Sequence, residues 1–114
     1  MQICNIDFEK NAIDEKVLVI IILGILDALF EQKITIVESQ KCLFSPYIVN
    51  SLVNLKCKKE IVDLIEKGCE LEDVESLLPS KLKDNICLLR NDALIQLNEL
   101  EKYENEKWIH IVQD

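Results

Sequence analysis

Glycine, proline and histidine are scarce in this chain, whose 114 residues include two glycines, two prolines and one histidine. So few turn-forming residues favour long helices over a sheet of many short strands. A Cys–His nucleophile pair is not expected, because His110 has no motif around it. Gly24 and Gly68 are isolated, so the chain lacks a glycine-rich phosphate-binding loop. We therefore expect no enzymatic activity, no catalytic residue and no cofactor.

The cysteines show no pairing pattern. Their number is odd and no C-x-x-C pair occurs, which argues against a secreted disulfide framework. With only one histidine to join them, a zinc site is not expected either. Residues 1–16 lack the basic segment and apolar core of a signal peptide. We interpret the thiols as small buried apolar groups and expect a cytoplasmic protein. The cysteines are Cys4, Cys42, Cys57, Cys69 and Cys87.

Basic residues are also in the minority, with 13 Lys and Arg against 21 Asp and Glu and a formal net charge of −8. A charge of this sign repels nucleic acid and anionic membranes, so neither is expected as a partner. It suits a basic protein partner, and it also suits a protein whose acidic surface serves solubility alone. With 49% apolar residues, the chain has enough apolar side chains for a folded core.

The longest apolar run is Val17–Phe30. It is shorter than the roughly 20 residues that a membrane span needs, and Asp27 interrupts it. We predict a central helix over residues 15–32, buried on most of its circumference and capped by Asp14. A close approach by a neighbouring element is one explanation for Gly24 within this helix, and chance is the other. One narrow stripe is predicted to face water, formed by Lys16, Ile20, Gly24, Asp27 and Glu31.

The remaining segments read as shorter amphipathic helices. Thr35 and Glu38 form a capping box, and Ser45 followed by Pro46 is typical of a helix start. Gly68 is interpreted as a left-handed helix end. The fold predicted for residues 1–114 is a mainly α single domain, a bundle of about five helices around the central helix. The segments 2–8 and 108–112 alternate like strands and allow a short terminal pair. Shorter helices are predicted at about residues 35–44, 46–55 and 58–67 and within residues 68–79, and a last long helix is predicted at about residues 81–103.

The segment from Glu60 to Glu75 is strongly acidic. We predict it as a docking surface for a basic protein, because carboxylates steer association with Lys and Arg. A solvated helix face is the simpler interpretation. Calcium or magnesium binding is disfavoured, since the carboxylates lack the spacing and the glycine of an EF-hand, and no metal site is predicted. The predicted partner-binding residues are Glu66, Glu70, Glu72, Asp73 and Glu75.

Three short motifs carry a resemblance: LFSP at Leu43–Pro46, GCELEDV at Gly68–Val74 and LLP at Leu77–Pro79. Over residues 15–100 they resemble a small bacterial family of uncharacterised domains of about this length. Some members of that family resemble immunity proteins encoded beside LXG-type polymorphic toxins, whose toxic ends are often nucleases. The resemblance implies a non-enzymatic inhibitor that binds a cognate toxin domain with a basic surface. It does not identify the binding residues.

Two hypotheses from other classes stay open. One is a structural or regulatory homo-oligomer, such as a homodimer, formed through the edge of the central helix at Gly24 or through a strand at 108–112. The other is a small metal-dependent enzyme that uses the acidic segment. Sedimentation of the protein alone tests the first, and calorimetric titration with divalent cations tests the second.

Overall fold

Helices form most of the structure, a computed structural model in which residues 14–100 are described. No strand occurs within these residues, which confirms the prediction of a mainly α protein. The predicted strand pair of residues 2–8 and 108–112 lies outside the described part of the chain. The helices are α1 (Glu15–Phe30), α2 (Ile36–Cys42), α3 (Pro46–Asn54), α4 (Lys59–Leu77) and α5 (Leu82–Glu99), with a 3₁₀ turn at Pro79–Lys81.

The three long helices α1, α4 and α5 form the framework. Helix α5 packs against both α1 and α4, while α3 packs on α4 and α2 lies against α1 and α4. An ion pair between Asp27 and Arg90 joins α1 to α5, and one between Lys67 and Asp92 joins α4 to α5. The centre of the core contains large side chains that are almost fully buried, among them Leu18, Ile22, Leu26, Phe44, Leu52, Ile61, Ile65 and Ile86.

Helix α1 is the predicted central helix. The Asp14 side chain accepts a hydrogen bond from the Val17 N–H at 3.2 Å, as expected of an N-cap. Most of the predicted water-facing stripe is confirmed, because Ile20, Gly24, Asp27 and Glu31 are exposed. Of the two explanations for Gly24, a close approach by a neighbouring element is not found within the described residues, since a Cβ there would meet no atom within 4 Å. None of the helices within residues 14–100 is long and apolar enough to cross a membrane.

The helix starts predicted from capping signals are confirmed. Thr35 and Glu38 exchange both capping-box hydrogen bonds, at 3.0 and 3.1 Å. The Ser45 hydroxyl accepts from the Ile48 N–H, and Pro46 occupies the first turn of α3. These short local signals position α2 and α3, which bury little on their own and are stabilised by packing on the long helices.

The predicted break at Gly68 is wrong, because α4 continues without interruption from Lys59 to Leu77. Gly68 is buried in the helix interior, and a Cβ at this position would lie 2.6–2.8 Å from three ring carbons of Phe44. Glycine is therefore required here for the close approach of an aromatic ring and not for a left-handed turn. One helix replaces the two that were predicted over residues 58–79.

The left-handed helix ends fall instead on two residues that are not glycine. Gln32 follows α1 with φ of 59°, and Lys56 follows α3 with φ of 58°. In each case the next N–H bonds back over the last turn: Lys33 to the Ala28 carbonyl at 2.9 Å, and Cys57 to the Leu52 carbonyl at 3.0 Å. Both ends are Schellman motifs, in which a Cβ costs conformational energy that glycine would avoid.

Candidate protein-interaction surface

Three of the five predicted partner-binding residues form one stripe along α4. Glu66, Glu70 and Asp73 are exposed and follow each other at spacings of four and three residues, which places them on the same side of a helix. We call these three residues the acidic stripe. It spans roughly 10 Å at a rise of 1.5 Å per residue. Like charges at these spacings disfavour the helix slightly, so the stripe does not stabilise α4.

The other two predicted residues, Glu72 and Glu75, point away from the stripe. Glu72 accepts a hydrogen bond from the Gln40 side chain on α2 at 2.5 Å. Glu75 lines a small cavity between α4, α5 and the loop after α1, next to Lys83. Both carboxylates are exposed, but each faces a different neighbour. The five residues are therefore not a single site.

A groove runs between α4 and α5 beside the acidic stripe. It consists of two cavities of about 360 Å³ and about 200 Å³ that share Lys67 and Asp92. We call this feature the α4–α5 groove. Leu88 and Ile95, on its α5 side, are 64% and 55% exposed. Its other lining residues, besides Leu64, Leu71 and Leu89, are Glu60, Asp63, Glu70, Val74, Asn85 and Gln96.

The charge of the α4–α5 groove is predominantly negative. Four carboxylates line it, from Glu60, Asp63, Glu70 and Asp92, against the single ammonium group of Lys67. The Lys67 Nζ lies 3.6 Å from Asp92 Oδ2 across the middle of the groove, and the two side chains are 58% and 48% exposed. An ion pair as exposed as this is worth about 0–1 kcal/mol. It therefore closes the groove only weakly.

Gln96 adds an unsatisfied acceptor to the groove. Its Oε1 is buried and has no hydrogen-bond donor within the described part of the protein, although Gln96 lines the smaller cavity. A buried acceptor without a donor costs about 1–3 kcal/mol. If the Gln96 side-chain amide rotates toward the groove, a hydrogen-bond donor that enters the groove can bond to Oε1 and remove this cost.

The thiols of Cys57 and Cys69 are not activated as nucleophiles. Burial raises the pKa of Cys57 from its ordinary 9.0 to about 12, and the Glu15 carboxylate beside it acts in the same direction. Burial also raises the pKa of Cys69, with Glu66 contributing. Both thiols stay protonated at neutral pH and are poor nucleophiles. Among residues 14–100, no three Cys, His, Asp or Glu side chains converge to hold a metal ion.

The sequence pattern of α5 does not predict its side of the α4–α5 groove. The inward face of α5 follows the helical spacing of Leu82, Ile86 and Leu89, which are buried or half-buried. Leu88 and Ile95 fall outside that pattern, seven residues apart. In the sequence, the available signal for a second apolar face is this pair of apolar residues, which lie outside the inward pattern and two helical turns apart.

Comparison with known proteins gives one match. No curated protein and no solved structure matches the chain. Residues 9–110 match the family DUF3969, which is described as a protein of unknown function. This match supports the expected relation to an uncharacterised small domain family. Since it spans most of the sequence, the chain belongs to the DUF3969 family.

Proposed function

We propose that this protein is a non-enzymatic immunity protein that binds and neutralises a cognate bacterial toxin domain in the cytoplasm. The observation that carries the proposal is the acidic stripe, which presents Glu66, Glu70 and Asp73 to solvent on one side of α4. Carboxylates arranged in this way attract a basic protein surface and orient it. The net charge of −8 extends this attraction beyond the stripe.

The toxin is proposed to be a nuclease. A nuclease must hold phosphate groups, so the surface around its active site is basic. An acidic protein that covers this surface excludes the nucleic acid by occupying the same cationic groups. The LFSP, GCELEDV and LLP motifs resemble a family in which some members are similar to immunity proteins of LXG-type toxin systems, and this resemblance supports the same function.

Co-expression with the product of the adjacent gene tests this proposal. We expect the protein to rescue cells from that product and to co-purify with it. The double variant Glu66→Lys with Asp73→Lys should weaken binding at least about tenfold and reduce its salt dependence. The matched control, Glu31→Lys with Asp84→Lys, has the same net charge on exposed positions away from the stripe. If the wild-type protein fails to rescue the cells and also fails to co-purify with that product, the proposal is wrong.

A homo-oligomer of structural or regulatory role is the alternative function. Gly24 and Ile20 favour it, because both are exposed on α1 and Ile20 is apolar. A glycine with open space around it allows a second helix to approach closely. Sedimentation equilibrium decides between the two functions: a dimer that Gly24→Leu dissociates would support the oligomer, and a monomer at all concentrations would contradict it.

A further inference from the structure

The α4–α5 groove has the chemistry of a peptide-binding groove. We propose that it binds a basic amphipathic helix of the partner protein, with apolar side chains against Leu88 and Ile95 and a Lys or Arg against Asp92. This inference rests on the proposed function, because it names the part of the partner that the protein recognises. It extends the contact surface from the acidic stripe of α4 onto α5.

The spacing of the apolar residues favours a helix as the occupant. Leu88 and Ile95 lie two turns apart on α5, roughly 10 Å along its axis. Each lines one of the two cavities, and both are more than half exposed. An amphipathic helix offers apolar side chains seven residues apart on one face, and this is the pattern with which helices fill such grooves.

The charges of the groove require the occupant to be basic. Between the two cavities, Lys67 already places an ammonium group on Asp92. A partner's Lys or Arg can take this position, because the existing pair is exposed and weak. Glu60 and Asp63, which precede Lys67 on α4 by seven and four residues, add two carboxylates to the smaller cavity. The unsatisfied Oε1 of Gln96 is a further acceptor for an incoming N–H donor.

A second copy of this chain does not fit the groove as well. Each copy has a formal net charge of −8, so that two copies repel each other. The groove has four carboxylates against one ammonium group, and a like-charged helix would leave these carboxylates without counter-charges. Charge complementarity therefore favours a different, basic protein.

Measuring the affinity for the purified product of the adjacent gene tests the groove. We expect Leu88→Gln with Ile95→Gln to weaken binding at least about tenfold, as apolar anchors of an interface do. The matched control is Val37→Gln with Val53→Gln, since these valines are 56% and 58% exposed on α2 and α3. The control should bind within about twofold of wild type. Circular dichroism and the urea midpoint establish that each variant is folded.

A second pair of variants tests the position of the cation. Asp92→Asn should weaken binding, because it removes the carboxylate with which the partner's Lys or Arg pairs after it displaces Lys67. Lys67→Ala should strengthen binding about two- to fivefold, because it removes the internal competitor. A purely structural role of the Lys67–Asp92 pair would instead weaken binding in both variants. A photo-crosslinker at Leu88 should label a Lys- or Arg-rich helical segment of the adjacent gene's product.

The outcomes separate this inference from the proposed function. If the wild-type protein binds and the Leu88/Ile95 variant binds equally well, the groove is not the site and the proposed function stands. If the wild-type protein does not bind, the proposed function fails and this inference fails with it. If sedimentation shows a dimer that the same variant abolishes, the occupant is a second copy and the inference is wrong.

Discussion

The two glycines of this chain should respond to the same substitution in opposite directions. Both lie in helix interiors, where replacing glycine by alanine normally stabilises a protein by about 1 kcal/mol. At Gly24 a Cβ meets nothing within 4 Å, so Gly24→Ala should raise the free energy of unfolding by this amount. At Gly68 the new methyl group would lie 2.6–2.8 Å from the Phe44 ring, well inside the roughly 3.5–4.0 Å of an ordinary carbon–carbon contact.

The Phe44 ring has little freedom to move away. It is 1% exposed, and its backbone N–H donates to the Ser39 carbonyl at 2.9 Å. Overpacking a core of this kind costs about 1–3 kcal/mol. Against the helix-propensity gain of about 1 kcal/mol, Gly68→Ala should leave the free energy of unfolding unchanged or lower it by up to about 2 kcal/mol. The two alanine variants should thus differ by about 1–3 kcal/mol.

Urea denaturation followed by circular dichroism measures this difference. With an m-value of about 2 kcal/mol/M, a difference of about 2 kcal/mol separates the two midpoints by about 1 M. Phe44→Leu provides a further check, because a smaller side chain leaves room for the methyl group. In a double-mutant cycle, Phe44→Leu and Gly68→Ala should show coupling of at least about 0.5 kcal/mol. Equal stabilisation by Gly24→Ala and Gly68→Ala would refute the argument.

Two other predictions concern a helix end and a thiol. Gln32→Gly should raise the free energy of unfolding by about 0.5–1 kcal/mol, because glycine adopts the left-handed conformation without strain. Gln32→Ala should bring no such gain, and equal midpoints for these two variants would contradict the assignment. Cys57, whose pKa is about 12, should be alkylated at pH 8 more than about tenfold more slowly than the exposed Cys87, as site-resolved mass spectrometry measures. Since folded Cys57 keeps its proton above its ordinary pKa of 9.0, its contribution to stability should fall between about pH 9 and pH 12. Replacing it by Ala should remove this part of the pH dependence.

Local signals predicted the helix starts well. A capping box at Thr35, a serine before Pro46 and an aspartate at position 14 each act through hydrogen bonds within three residues. Such bonds require no knowledge of the tertiary fold, so the sequence alone is enough to place them. The water-facing edge of α1 was predictable for a similar reason, since a single polar stripe on an apolar helix has only one direction to face.

Helix ends and glycines were not predictable in the same way. Gly68 followed a basic residue and preceded an acidic segment, which is typical of a helix C-terminus. Its actual role depends on Phe44, which is distant in sequence and becomes its neighbour only in the folded chain. Conversely, Gln32 and Lys56 adopt left-handed conformations that their residue types do not suggest. At Gly68 a tertiary contact decides the role of the residue, while at Gln32 and Lys56 the helix-end hydrogen bonds hold a backbone conformation that the residue type disfavours.

The candidate site was predictable in its charge and not in its extent. The acidic composition of residues 60–75 indicated a negative surface, and the exposure of Glu66, Glu70 and Asp73 is consistent with it. Which carboxylates share a side depends on whether the helix is continuous. The participation of Asp92 and Ile95 depends on how α5 packs against α4, and this packing is set by the whole core.

The continuity of α4 at Gly68 links the core to the proposed binding surface. Gly68 lies on the side of α4 that packs against Phe44, while Glu66, Glu70 and Asp73 lie on the opposite side at helical spacing. A helix end at Gly68 would interrupt the 3.6-residue repeat and separate Glu66 from Glu70 and Asp73. Only a residue without a Cβ lets Phe44 approach this closely while the helix continues. Gly68 therefore allows the core packing of Phe44 within the same continuous helix that carries the acidic stripe.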